Sequence, residues 1–263
     1  MQFDDRVVLV TGGGTGIGRA IAAAFHQAGA RVAIASRDPE HLKKAVSVLA
    51  ARRDKGADTL LPLRLDVRRA ETIDAALESL VGSWGRVDIL VNNAGVSGQN
   101  PLNNDRSAGD AKWHDVIATN LTGAYLVTRA ALPHIPEGGR IINNASVLGK
   151  FGVAGYSAYC ASKHGVIGFT RALAAEVAPR RITVNAICPG WVDTAMADQG
   201  VKESAARLEV TPEQFKKGAM DRVPLGRFLR PEEIAPLVLY IASQEAAGLT
   251  GQAINLEGGA TTW

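Results

Sequence analysis

The sequence predicts a single-domain α/β fold, a doubly wound parallel sheet with helices on both faces. Three observations predict it. Short runs rich in Val, Ile and Leu alternate with longer amphipathic stretches throughout the chain, the pattern of repeated strand–helix–strand units. The runs lack polar alternation, as strands covered on both faces do. The first of them ends in a glycine-rich loop that opens a helix, which favours an open sheet over the eight-fold barrel that shares the alternation. The 263 residues approach the limit of one hydrophobic core, and neither a repeat nor a Pro/Ser linker divides them.

Taken in order, Val7–Val10 reads as a buried strand, and Ile17, Ile21, Ala24 and Phe25 follow at helical spacing. Arg31–Ala35 is a second strand, with a helix over Pro39–Arg53. Leu60–Leu65 is a third, with a helix over Ala70–Trp84. Val87–Val91 is a fourth and ends in NNAG. Trp113–Leu132 reads as one long helix and Gly138–Asn143 as a strand. Ser157–Val177 is another long helix, Ile182–Ile187 a strand, Ile234–Ser243 a helix and Ala253–Leu256 a last short strand.

Composition narrows the function. Hydrophobic residues at 46% and charged residues at 21% exclude a disordered or fibrous chain. Lys+Arg 29 against Asp+Glu 26 gives +3 with the signs interspersed, too balanced for nucleic acid or an anionic membrane as the main partner. No apolar run is long enough to span a bilayer. The start, MQFDDRVVLV, lacks the basic and apolar regions of a secretory signal. Cys160 and Cys188 form no paired motif and no ligand cluster, so neither a disulfide nor a metal site is expected. These features point to a reducing, cytoplasmic setting.

Residues 11–18, TGGGTGIG, join the first strand to the first helix. Gly12 lets the chain turn tightly, Gly16 lets the backbone approach a pyrophosphate, and Gly18 permits close helix packing. The helix N-terminus adds free N–H groups and the positive end of its dipole. Thr11, Gly12, Gly14, Thr15, Gly16, Ile17 and Gly18 are therefore the expected phosphate cradle of a Rossmann-type dinucleotide site. No Lys-Ser/Thr pair follows the last glycine, which excludes a P-loop. At the end of the second strand an acidic residue would bond a ribose 2′-hydroxyl, whereas an Arg suits a 2′-phosphate. Here Ser36-Arg37 stand there, which favours NADP(H) over NAD(H). Asp38 follows and could instead reach a ribose.

Tyr159 and Lys163 lie four residues apart inside a predicted helix, on one face. A phenol titrates near 10, too high for a base at neutral pH, and a neighbouring ammonium is expected to lower it. Ser146 follows a strand and can donate to an oxygen on which charge develops. Asn120 sits in a predicted helix as a polar residue that needs a partner.

The glycine spacing TGxxxGxG, NNAG at residues 92–95 and YxxxK at 159–163 together resemble the short-chain dehydrogenase/reductase family, from Val7 to about Gly259. The resemblance implies an enzyme that moves a hydride between a nicotinamide dinucleotide and a ketone or secondary alcohol. It implies a catalytic set of Asn120, Ser146, Tyr159 and Lys163, in which Asn120 holds a relay water and Lys163 also holds the ribose. It places Asp66 and Val67 at the adenine, although Asp66 could equally cap the following helix. It places the backbone of Asn93, Ala94 and Gly95 along the cofactor, with Asn92 steadying the sheet. Pro189, Gly190, Val192 and Thr194 are expected around the nicotinamide. Residues 195–223 are expected to form a lid over the substrate.

Leu148, Val153, Tyr156, Trp191 and Met196, with Val147, are the expected pocket wall. Being mainly apolar or aromatic, they suit a neutral ketone or alcohol better than an anion. A 3-oxoacyl or polyketide-type ketoreductase is the first reading, and a small-alcohol or sugar dehydrogenase the second. A non-enzymatic dinucleotide-binding regulator is disfavoured because both Tyr159 and Lys163 are present. Arg222, Arg227 and Arg230 are candidates for docking an acyl carrier. His164 is expected to be structural. The resemblance also implies a homotetramer, packed through the two long helices.

Overall fold

The computed structural model describes residues 3–51, 59–102 and 105–261. Seven strands form one parallel sheet: β1 (Val7–Thr11), β2 (Arg31–Ser36), β3 (Leu60–Arg64), β4 (Ile89–Asn92), β5 (Arg140–Asn144), β6 (Thr183–Pro189) and β7 (Ala253–Leu256). Their order is β3-β2-β1-β4-β5-β6-β7. The chain thus winds outward in both directions from the β1–β4 pair, where Val8 lies opposite Ile89. Ligand crevices in such sheets form at this reversal, beyond the carboxyl ends of the strands.

The helices are α1 (Gly16–Gln27), α2 (Pro39–Ala50), α3 (Ala70–Trp84), α4 (Arg106–Ile117), α5 (Gly123–Ala131), α6 (Ser157–Val177), α7 (Ala195–Arg207), α8 (Pro212–Met220) and α9 (Pro231–Ala242). The five inner strands are buried on both faces, hence their unbroken apolar runs, while the edge strands β3 and β7 are partly exposed. One core layer joins Val8, Val10, Val32 and Ile34 to α1, α2 and α9 through Phe25, Leu49 and Ile241. The other joins Leu9, Leu90 and Ile141 to α3, α5 and α6 through Leu80, Val127 and Leu173. Among the described residues no helix is long and apolar enough to cross a membrane.

Two expectations need correction. The helix expected over Trp113–Leu132 begins at Arg106, because the Asp105 side chain accepts from Ala108 N at 2.9 Å and caps it. It is also not one α-helix: Ala118–Thr122 widen into a π turn between α4 and α5. The last helix starts at Pro231 rather than Ile234, with Glu233 accepting from Arg230 N. The second helix is described to Ala50, and residues 52 and 53 of its expected span lie outside the described residues.

Candidate active site

The glycine loop turns at Gly12, with φ +63°, and at Gly16, with φ +49°, where a side chain would be strained. A Cβ on Gly18 would lie 2.3 Å from the Gly12 carbonyl oxygen and 2.3 Å from Asn93 Nδ2. Gly18 therefore permits the packing of α1 against its own loop. Thr15 makes no side-chain cap, and the first turn of α1 holds no acid, so its N-terminal amides are left for an anion. The donors and the cradle fit a pyrophosphate. Thr11, by contrast, is a structural lock: its hydroxyl accepts from Asn93 N and Ala94 N at 3.0 and 3.1 Å.

Arg37 is exposed and has no carboxylate partner among the described residues. Asp38 is engaged elsewhere. Its carboxylate caps α2, accepting from Glu40 N at 2.9 Å, and faces His41 Nδ1 at 3.4 Å. Asp38 thus spends Oδ1 on its own helix. Asp66 follows neither expected role alone. It is gripped by Arg68, whose Nη2 donates at 2.6 Å and whose Nη1 reaches Asp115 at 2.9 Å. This hydrogen bonding holds the Asp66 carboxyl below the usual range. The N-cap of α3 is Arg69, not Asp66. The Val67 side chain is buried, and a Cβ on Gly123 would lie 2.6 Å from its Cγ2.

Beyond β4 and β5 the expected catalytic residues converge. Lys163 is buried, donates to the Asn144 carbonyl at 2.7 Å, and stands 5.6 Å from the centroid of the Tyr159 ring. Ser146 Oγ accepts from Leu148 N at 3.2 Å and is the side chain that draws the Tyr159 phenol's pKa down. A Cβ on Gly95 would lie 3.3 Å from Asn120 Oδ1 and 3.7 Å from Lys163 Nζ, so Gly95 leaves space beside both. Asn120 is a clamp: its Oδ1 accepts from Val96 N at 2.8 Å. Its amide donates to Val96 O at 2.9 Å and Ser162 Oγ at 3.0 Å. Both amide hydrogens are engaged by protein, so a relay water would not draw on them. The π turn brings Asn120 to the wall, a frequent use of such widened turns.

The electrostatics differ from the expectation. Burial pushes the Tyr159 phenol up to about 12, and the Ser146 hydrogen bond opposes this only in part. Burial likewise brings Lys163 down to about 8. Desolvation is the leading cause, and at neutral pH Tyr159 keeps its proton.

Sequence reasoning missed a link between the glycine loop and Lys163. Asn93 Nδ2 donates to the Gly12 carbonyl at 3.2 Å, and Asn144 Nδ2 donates to Asn93 Oδ1 at 2.9 Å. Lys163 then donates to the main chain of Asn144. Only the paired asparagines of NNAG hinted at it. Asn92 does steady the sheet, donating to Thr128 and Asn143 at 2.8 and 2.9 Å.

Gly190 donates to Leu256 O at 3.1 Å, and Val192 is buried and bridged to Leu229. Pro189 ends β6 and is buried. Thr194 caps α7, accepting from Ala197 N at 3.3 Å. Of the expected pocket wall, Val153 and Met196 are exposed and Leu148 is partly buried. Trp191 stacks on Phe228 at 5.1 Å and meets Phe215 edge-on at 6.2 Å, in the apolar core of the 195–223 segment. Tyr156 is buried, and its hydroxyl pairs with Ser204 Oγ at 3.1 Å. The docking candidates Arg227 and Arg230 share the Glu233 carboxylate. They therefore brace α9 while both guanidiniums stay exposed. His164 Nδ1 pairs with Cys160 O at 2.9 Å, a structural contact. Both cysteines are buried and unpaired. Among the described residues no three His, Cys, Asp or Glu side chains cluster for a metal.

Comparison with known proteins agrees with this geometry. The family model described as Enoyl-(Acyl carrier protein) reductase matches residues 12–261. A ketoacyl reductase of the monensin polyketide synthase from Streptomyces virginiae is 42% identical over 262 residues, covering 98% of each chain. The 3-oxoacyl-(acyl-carrier-protein) reductase FabG of Thermotoga maritima is 36% identical over 261 residues, covering 98% of this chain and 99% of its own. The crystal structure of a point variant of the actinorhodin polyketide ketoreductase with NADPH superposes with a TM-score of 0.89, at 40% identity over 98% of each chain. The glycine cradle, the Ser146–Tyr159–Lys163 group beside it and these likenesses together establish that the chain belongs to the short-chain dehydrogenase/reductase family.

Proposed function

We propose that this protein is an NADP(H)-dependent ketoreductase that reduces a 3-oxoacyl or polyketide-type ketone to its alcohol. The observation that carries this reading is the meeting of Ser146, Tyr159 and Lys163 beside Gly95, at the carboxyl ends of β4 and β5. The relatives named as ketoacyl reductases support the substrate class. The NADPH of the actinorhodin ketoreductase structure and the exposed Arg37, with Asp38 engaged as a cap, support the cofactor.

NADPH, when bound, supplies the hydride that the ketone carbon receives. The cradle of Gly12, Gly14, Gly16 and Gly18 with the free amides of α1 would hold its pyrophosphate, and Arg37 its 2′-phosphate. Asp66, Val67 and the backbone of Asn93, Ala94 and Gly95 would line the adenine and ribose side. Pro189, Gly190, Val192 and Thr194 would border the nicotinamide side. Ser146 donates a hydrogen bond to the ketone oxygen and polarises it. Tyr159, protonated at neutral pH, gives its proton to the same oxygen as the alcohol forms. Lys163 would donate to the ribose hydroxyls and stabilise the phenolate left behind. Asn120 holds Val96 and Ser162, and through them the wall beside Lys163.

Residues 195–223 form the lid in this reading, and assembly through α5 and α6 accounts for the exposed Tyr125, seated edge-on against Phe169. The test follows NADPH oxidation with a 3-oxoacyl thioester. The wild type turns over. Tyr159→Phe retains NADPH affinity within about twofold and loses roughly 100- to 10,000-fold in kcat, the scale of a general acid. A wild type inert toward every ketone offered, or a Tyr159→Phe enzyme at full rate, would overturn the reading.

A further inference from the structure

We infer that Ser204 is a specificity-determining residue: it seats the α7 helix against Tyr156 and Gln99 and thereby sets the width of acyl group that reaches Tyr159. This rests on the ketoreductase reading of the site. Ser204 lies on α7 and is buried to 3% exposure, unusual for a serine on a helix whose neighbours are largely exposed. Its hydroxyl has two partners from two separate elements. Tyr156 Oη stands at 3.1 Å, and Gln99 Nε2 donates at 3.0 Å.

The partners are placed where they matter. Tyr156 immediately precedes α6 and is three residues before Tyr159, so the two side chains project from neighbouring turns. Gln99 belongs to the loop that leaves β4 through Gly95. Its backbone N–H donates to Glu203 Oε2 at 3.2 Å, so residues 203 and 204 both grip it. The same loop is held at Val96 by Asn120 and at Asn100 by Gly155 and Ala158. It is therefore a fixed wall, and α7 is the movable partner. Gly200, one turn before Ser204, lies beside the same hydroxyl: a Cβ there would make an ordinary contact with Tyr156 Oη at 3.7 Å.

The three-way node draws the Tyr156 hydroxyl toward α7 and closes the gap between the helix and the α6 end of the cleft. A ketone bulky on that side must displace it, whereas a slender one need not. Ser204 touches none of the reacting atoms in this scheme and acts through the node.

The test compares Ser204→Ala, Tyr156→Phe and wild type on a short linear 3-oxoacyl thioester and on a bicyclic ketone, with NADPH. Loss of these hydrogen bonds is expected to shift the ratio of kcat/KM for the two substrates about three- to tenfold toward the bicyclic one, through KM. In Ser204→Ala the kcat for the linear thioester and the affinity for NADPH stay within about twofold. Hydrogen exchange of the α7 amides, read without any substrate, rises in both variants while that of the sheet does not. Equal loss on both substrates with unchanged α7 exchange would overturn the inference. If the wild type reduces no ketone, the ketoreductase reading fails, and the exchange measurement still decides whether Ser204 seats the helix.

Discussion

On the floor of the cleft, hydrogen bonds of 3.2, 2.9 and 2.7 Å run from Gly12 through Asn93 and Asn144 to Lys163. Asn120 is anchored there by three more. Above the cleft, α7 and α8 are held differently. The Trp191–Phe215–Phe228 rings gather their apolar side, and Ser204 and Glu203 supply polar contacts to the floor. Floor groups are buried in the sheet's own network and share partners, so a change at one reaches the others. Cover groups meet at a few side chains between exposed turns, and such elements open at low cost. The chemistry is thus fixed by a crowded network, and access to it by a handful of exchangeable contacts.

The largest effect expected from breaking the floor comes at Gly18. In Gly18→Ala the new methyl meets the Gly12 carbonyl, and backbone must yield. We expect dinucleotide affinity to fall more than about 100-fold and stability to fall by roughly 1–3 kcal/mol, the usual cost of overpacking. Fluorescence titration with NADPH and urea unfolding measure both. Unaltered binding would show that the cradle tolerates displacement and that the floor is not the rigid half.

A second measurement sharpens the contrast through pH. Burial brings Lys163 from an ordinary 10.5 down to about 8. Between those values the unfolded chain holds a proton that the folded chain has released, so stability without cofactor rises with pH across that window. Below it both states are charged and the folded state carries the whole penalty, roughly 3 kcal/mol at 1.36 per pH unit. Lys163→Met should therefore be more stable than wild type near pH 7.5, with the gap closing toward pH 10. Tyr159 acts in the opposite sense only above its ordinary value of 10.0. A gap independent of pH would show that Lys163 is solvated. The smallest effect belongs to the exposed rim. Arg37→Ala should cut the NADPH-over-NADH preference about tenfold, or roughly 1.4 kcal/mol, read as the ratio of Kd values. An unchanged ratio would remove Arg37 from cofactor choice.

Floor and cover also differ in how far the sequence reveals them. The strands, the glycine loop and the spacing of Ser146, Tyr159 and Lys163 were all legible, because each depends on local pattern or on residues a turn apart. Asp38 carried a cap signal in its Asp-Pro-Glu run, yet could be read as a ribose ligand until its partner was seen. The grip of Arg68 on Asp66 and Asp115 joins residues distant in sequence and had no local sign. Trp191 looked like a pocket wall because its partners, Phe215 and Phe228, come from turns far along the chain. Spacing places a charge near Tyr159 but does not reveal the water excluded around the phenol, whose burial pushes its pKa up.

The π turn at Ala118–Thr122 has a consequence for how one rod of chain serves two masters. An added residue within a turn advances the angular phase of everything after it. The segment before the turn can then lie along α6 while the segment after it presents Val127 and Ala131 to the sheet. Evolution can retune either half's sequence without rotating the other, and the amide of Asn120 sits at the pivot.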